Sequence, residues 1–68
     1  MKFLKINNQR AVRTGKIDMV AVTGREGDVQ LDVYVDGIQL TYKRFREFGP
    51  AERAMNDLIT LIENLEDR

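Results

Sequence analysis

Apolar and polar residues alternate along Val29-Gln-Leu-Asp-Val-Tyr-Val35, pause at Asp36-Gly37, and alternate again along Ile38-Gln-Leu-Thr-Tyr-Lys-Arg-Phe45. Period-two alternation marks a strand with one buried face. Asp-Gly between two such runs favours a two-residue type I′ turn, because both central residues need φ > 0 and glycine meets that need without steric cost. The spacing therefore predicts a β-hairpin of strands 29–35 and 38–45. In its simplest register Val35 faces Ile38, Val33 faces Leu40, Leu31 faces Tyr42 and Val29 faces Arg44. Directly opposed residues share a side of the sheet, so the apolar set lies together. Gln30, Asp32, Tyr34, Gln39, Thr41, Lys43 and Phe45 fall on the other side.

Three further elements follow from the same pattern. Residues 17–23 form a β-branched, apolar strand in which Ile17, Met19 and Ala21 alternate with Val20 and Val22. Both of its sides are apolar, and the loop 24–28 leaves open which set meets the core. Residues 2–6 read as a short strand with Leu4 and Ile6 on one side and Phe3 and Lys5 on the other. Turn-prone Asn7-Asn8 then leads to a second short strand at 9–13, ended by Thr14-Gly15. From Ala51 the apolar residues recur at 51, 54, 55, 58, 61, 62 and 65, a helical stripe with Ile59 at its edge. Pro50 suits the first helical position, so the helix is expected over 50–66. The whole chain, 1–68, reads as a single small α+β domain. Its expected architecture is a three- to four-stranded antiparallel β-meander with one C-terminal amphipathic helix packed on one face.

One helix covers one face of such a sheet, and apolar residues are left over. Tyr34 and Phe45, with Met19 and Phe3, are the expected uncovered set, and Lys43 lies among them. Several apolar groups on one bare face suggest a contact surface, whereas scattered single ones are ordinary. The commonest partner for such a surface is a second copy of the chain.

Composition narrows the alternatives. The chain has 68 residues, no cysteine, and eleven basic against eleven acidic residues. A domain this small lacks a large core, and without disulfides oligomerisation is a common source of stability. Neutrality disfavours a general nucleic-acid or membrane-surface binder. The charge is nevertheless uneven: Lys2, Lys5, Arg10, Arg13, Lys16 and Arg25 outnumber Asp18 in the first 25 residues, while residues 47–68 are acidic. Both ends are read as solvated surface. No apolar run approaches the roughly 18 residues of a membrane span. Met1-Lys-Phe-Leu-Lys-Ile6 starts as a signal peptide does, but Lys5 and Asn7-Asn8 end its apolar stretch too early. The expected location is cytoplasmic, with no membrane partner.

Catalytic chemistry is sparse. With no histidine, cysteine or serine, the usual nucleophile–base pairs and zinc ligands are missing, and no metal, cofactor or catalytic residue is expected. Asp28, Asp32 and Asp36 recur at every fourth residue, a spacing of ~13 Å along a strand, too far apart for neighbours to share an ion. They read as a solvated face neutralised by Lys43. Gly15-Lys16 lacks the preceding glycine and following hydroxyl of a phosphate loop, and Gly24-Arg-Glu-Gly27 reads as a turn. Tyr42-Lys-Arg-Phe-Arg46 mixes aromatic and cationic groups, the ingredients of a stacking platform for single-stranded nucleic acid. Lys43, Arg44, Phe45 and Arg46, with Arg13 and Lys16, would form that alternative site.

The layout, Met-Lys-Phe-Leu-Lys-Ile followed by a meander, a glycine-turned hairpin and an amphipathic helix, resembles flagellar FlbD-type proteins. It is also similar to certain small phage anti-CRISPR inhibitors, a resemblance that implies a phage origin and binding to a large host complex. The shared pattern is generic and carries no functional residue over. The functional expectation is a non-catalytic interaction module, adaptor or inhibitor in type. It would be homodimeric through the uncovered sheet face and bind an unidentified protein, with single-stranded nucleic-acid binding as the alternative.

Overall fold

The computed structural model describes residues 2–66. Its elements run β1 (Phe3–Asn7), β2 (Arg10–Arg13), a 3₁₀ turn (Thr14–Lys16), β3 (Ile17–Arg25), β4 (Asp28–Val35), β5 (Ile38–Phe45) and α1 (Phe48–Glu66). The fold is α+β. β3, β4 and β5 form an antiparallel meander in that spatial order, and β1 and β2 form a separate two-stranded sheet. The expected short strands at the N-terminus are present and pair with each other, Leu4 opposite Val12.

Turn chemistry sets the register. Asp36 and Gly37 both adopt positive φ, 53° and 81°, as a type I′ turn requires. The β3–β4 connection is tighter than the sequence suggests: Arg25 pairs with Asp28, leaving only Glu26-Gly27 as the turn. Gly24 has φ 101°, and a Cβ built there would collide with the Asp28 carbonyl oxygen, so glycine is what lets β3 run this close to the turn. That register resolves the doubly apolar strand. Val20 and Val22 lie opposite Val33 and Leu31, and Met19 and Ala21 lie opposite Tyr34 and Asp32.

Leu31 and Val33 of β4, Leu4 and Ile6 of β1, and Leu58 of α1 form one buried cluster. The N-terminal hairpin and the helix therefore cover the same face of the meander. The helix begins at Phe48, two residues before the expected start, and Gly49 and Pro50 occupy its first turn, where no intrahelical donor is required. Its buried stripe is rotated slightly from expectation: Ile59 is half-buried and Leu61 is exposed. No helix among the described residues is long and apolar enough to cross a membrane.

One irregularity redistributes the side chains of β5. Val33 faces Leu40 and Asp32 faces Thr41 as expected, but Leu31 then faces Lys43 and Val29 faces Phe45. Tyr42 is the extra residue of a β-bulge. A one-residue offset exchanges the faces of everything beyond it. The expected pairs Leu31–Tyr42 and Val29–Arg44 are therefore replaced, and Phe45 moves to the helix side, where it packs against the core cluster.

Candidate interaction surface

With both covering elements on one side, the other face of the meander is bare. β3 contributes Met19, Ala21 and Thr23 to it, β4 contributes Gln30, Asp32 and Tyr34, and β5 contributes Gln39, Thr41 and Arg44. Met19 and Tyr34 are a directly opposed pair, with Met19 49% exposed and Tyr34 half-buried. They form the apolar end of an otherwise polar surface.

Asp32 lies at the middle of this face and is 0% exposed. Its Oδ2 accepts hydrogen bonds from the Thr23 hydroxyl at 2.6 Å and the Gln39 side-chain amide at 2.7 Å. Its Oδ1 is buried with no hydrogen-bond partner among the described residues. Thr23 and Gln39, from the strands on either side, bond to a short carboxylate that alternation alone assigns to solvent. The solvated-face reading thus fails for Asp32. It holds for Asp28, whose exposed carboxylate meets Arg44 at 3.5 Å, and for exposed Asp36. Lys43, expected to neutralise this face, is on the other side of the sheet; Arg44 takes that place. A pair this exposed contributes little to stability. Thr41 donates to Gln30 at 3.0 Å, which completes a polar lattice across β4 and β5.

The residues expected to form one contact surface therefore occupy three. Met19 and Tyr34 share the open face. Phe45 and Lys43 lie on the helix side, where the ammonium group sits 5.5 Å from the centre of the ring and Lys43 borders Leu58 and Leu61. Phe3 is 53% exposed but belongs to the outer face of the N-terminal hairpin, opposite Arg13. The nucleic-acid set is divided in the same way. Lys43 and Phe45 face the helix side, Arg44 the open face, Arg13 the outer hairpin face, while Lys16 is in the 3₁₀ turn and Arg46 follows β5. No single surface brings the six together. Among the described residues, no group of three or more acidic, histidine or cysteine side chains is gathered in the manner of a metal site.

The feature that sequence reasoning missed is Asp32. Its signal was available in outline: a carboxylate at the centre of the central strand, between a threonine and a glutamine that can both donate. What alternation could not give was the depth to which its neighbours bury it. No protein-family model, curated protein or solved structure matches the chain.

Proposed function

We propose that this chain is a non-catalytic protein-interaction module of adaptor or inhibitor type, acting in the cytoplasm, with the open face of the meander as its contact surface. The supporting observation is that hairpin and helix pack on the same side, leaving opposite them a bare sheet face that carries the Met19–Tyr34 pair beside a carboxylate with an unused oxygen. An aspartate at the centre of the central strand carries the cost of a buried oxygen without a donor, set against the two hydrogen bonds its other oxygen accepts. A residue kept against that cost fits a surface kept for contact. The face is mostly polar, in the manner of interfaces formed by partners that also exist apart. The target is a protein rather than nucleic acid: the face sets Asp28 and Asp32 against Arg44 and Arg25, two acids against two cations, and so offers phosphates no excess of positive charge.

Tagged chain expressed in its native host tests this reading. We expect the parent to recover a partner in stoichiometric amount. Met19→Lys and Tyr34→Lys should lose it with their circular dichroism unchanged, and Phe3→Lys, on the outer hairpin face, should keep it. Retention of the same protein by both open-face variants would rule out this surface. So would a salt-dependent shift of a fluorescent oligonucleotide by a parent that recovers no protein.

A further inference from the structure

β3 is an outer strand of the meander. Beyond its ladder with β4 and the bond from the Ile17 amide to the Thr14 carbonyl, its backbone has no hydrogen-bond partner among the described residues. A row of unpaired backbone groups is a template for another strand, and proteins normally blunt it with charge, proline, bulges or brevity. The opposite edge, β5, carries Lys43, Arg44 and the bulge at Tyr42. β3 runs for nine residues, its one bulge is confined to its start near Asp18, and from Met19 to Gly24 it holds neither a charge nor a proline.

We propose that β3 pairs antiparallel with β3 of a second copy, joining two meanders into one six-stranded sheet. This goes beyond the contact-face reading, since it uses the edge of the sheet and assigns that edge to the chain itself. The occupant follows from self-complementarity. Centred on Ala21, the pairing sets Val20 opposite the second copy's Val22, and Met19 opposite its Thr23, each twice by symmetry. Like surfaces therefore continue across the junction, apolar on the helix side and mixed on the open side. Asp18 and Arg25 are the only charged residues of β3 and stand at its two ends. Antiparallel alignment brings Arg25 of each copy to the Asp18 end of the other, whereas a parallel one would set like against like. A groove of about 240 Å³ runs beside this edge, walled by Ile17 and Val20 from the strand and by Ile59 and Ile62 from the helix. With the two-fold axis perpendicular to the sheet, both helices fall on one side and these half-buried isoleucines gain apolar neighbours. The two open faces become one continuous face, available to the target.

This arrangement also moves the homodimer away from the open face, where a face-to-face pairing centred on Asp32 would stack two unsatisfied carboxylates.

Because the chain has no cysteine, single introduced thiols report the geometry cleanly. Ala21→Cys should cross-link into a covalent dimer under mild oxidation. Thr41→Cys, in the same row of the same face but two strands from the edge, should not. Light scattering should give twice the 7.9 kDa chain mass. Arg25→Glu should raise the dimer dissociation constant about tenfold, acting at both ends, and Asp18→Arg combined with Arg25→Glu should restore it. A chain that stays at single mass at high concentration would overturn the proposal, as would equal cross-linking of the two cysteine variants. A monomer that still loses its target on Met19→Lys would sink the edge pairing and leave the face reading standing. A β3-linked dimer whose target capture ignores Met19→Lys would do the reverse.

Discussion

Asp32 is a poor strand former at the centre of the central strand, fully buried, with one oxygen bonded twice and the other without a partner among the described residues. Its donors do not depend on it. Gln39 is exposed and Thr23 only half-buried, so both can turn to water when the carboxylate is gone. Asp32→Val would thus orphan no buried donor, remove one buried unsatisfied acceptor, and replace a residue disfavoured in strands by one that favours them. We expect urea unfolding to show a gain of about 1 kcal/mol. Under the proposed function the same variant weakens target capture, because the buried carboxylate no longer orients the Thr23 and Gln39 side chains that reach the open face. A loss of stability of that size would instead mean that the two hydrogen bonds outweigh the cost of the unused oxygen.

At the level of elements, β5 shows what one inserted residue does. Phe45 follows the Tyr42 bulge, lies opposite buried Val29 and packs against the core. Phe45→Glu sets a charge into that half-buried apolar site, and a loss of about 2–3 kcal/mol is expected in a denaturant titration. Met19→Lys on the half-exposed open face should stay within about 0.5 kcal/mol of the parent. Equal costs for the two would place Phe45 on the open face after all. Alternation and the Asp-Gly turn were enough to read the hairpin, its first four opposed pairs from the turn, and the helix with most of its buried stripe. They could not reveal the bulge, because Thr41-Tyr42-Lys43 carries no glycine or other local mark, and its effect, Tyr42 and Phe45 both packed against the core, depends on the tertiary fold. The candidate surface was legible to the same depth. Met19 and Tyr34, in the turn-proximal part of the sheet, do share one sheet face, although the sequence left the side of Met19 open, while Phe45 and Lys43, beyond the bulge, lie on the other. Phe3 was misplaced for another reason: nothing in the first thirteen residues says that their strands pair only with each other.

For the molecule as a whole, the question is whether the N-terminal hairpin is an appendage or half of the roof. Its strands make no ladder with the meander, which suggests an appendage. Burial says otherwise. Leu4 on β1 and Leu58 on α1 are each 3% exposed and belong to one cluster with Leu31 and Val33. The 3₁₀ turn fastens the hairpin further, since the buried Thr14 donates its amide to the Lys2 carbonyl at 3.0 Å. A buried leucine truncated to alanine costs about 2–5 kcal/mol, set by how far its surroundings collapse. If the hairpin is half of the roof, Leu4→Ala and Leu58→Ala should cost comparable amounts, each with a single cooperative transition followed by circular dichroism and by tyrosine fluorescence. A 68-residue domain has roughly 3–10 kcal/mol in total, so either change should leave a measurable unfolded fraction before denaturant is added. If instead Leu4→Ala shifts the midpoint by under about 0.5 kcal/mol, the hairpin is dispensable to the core. The face beneath it would then be a second surface in need of a partner, and the open side of the sheet would lose its claim to be the one the fold leaves bare.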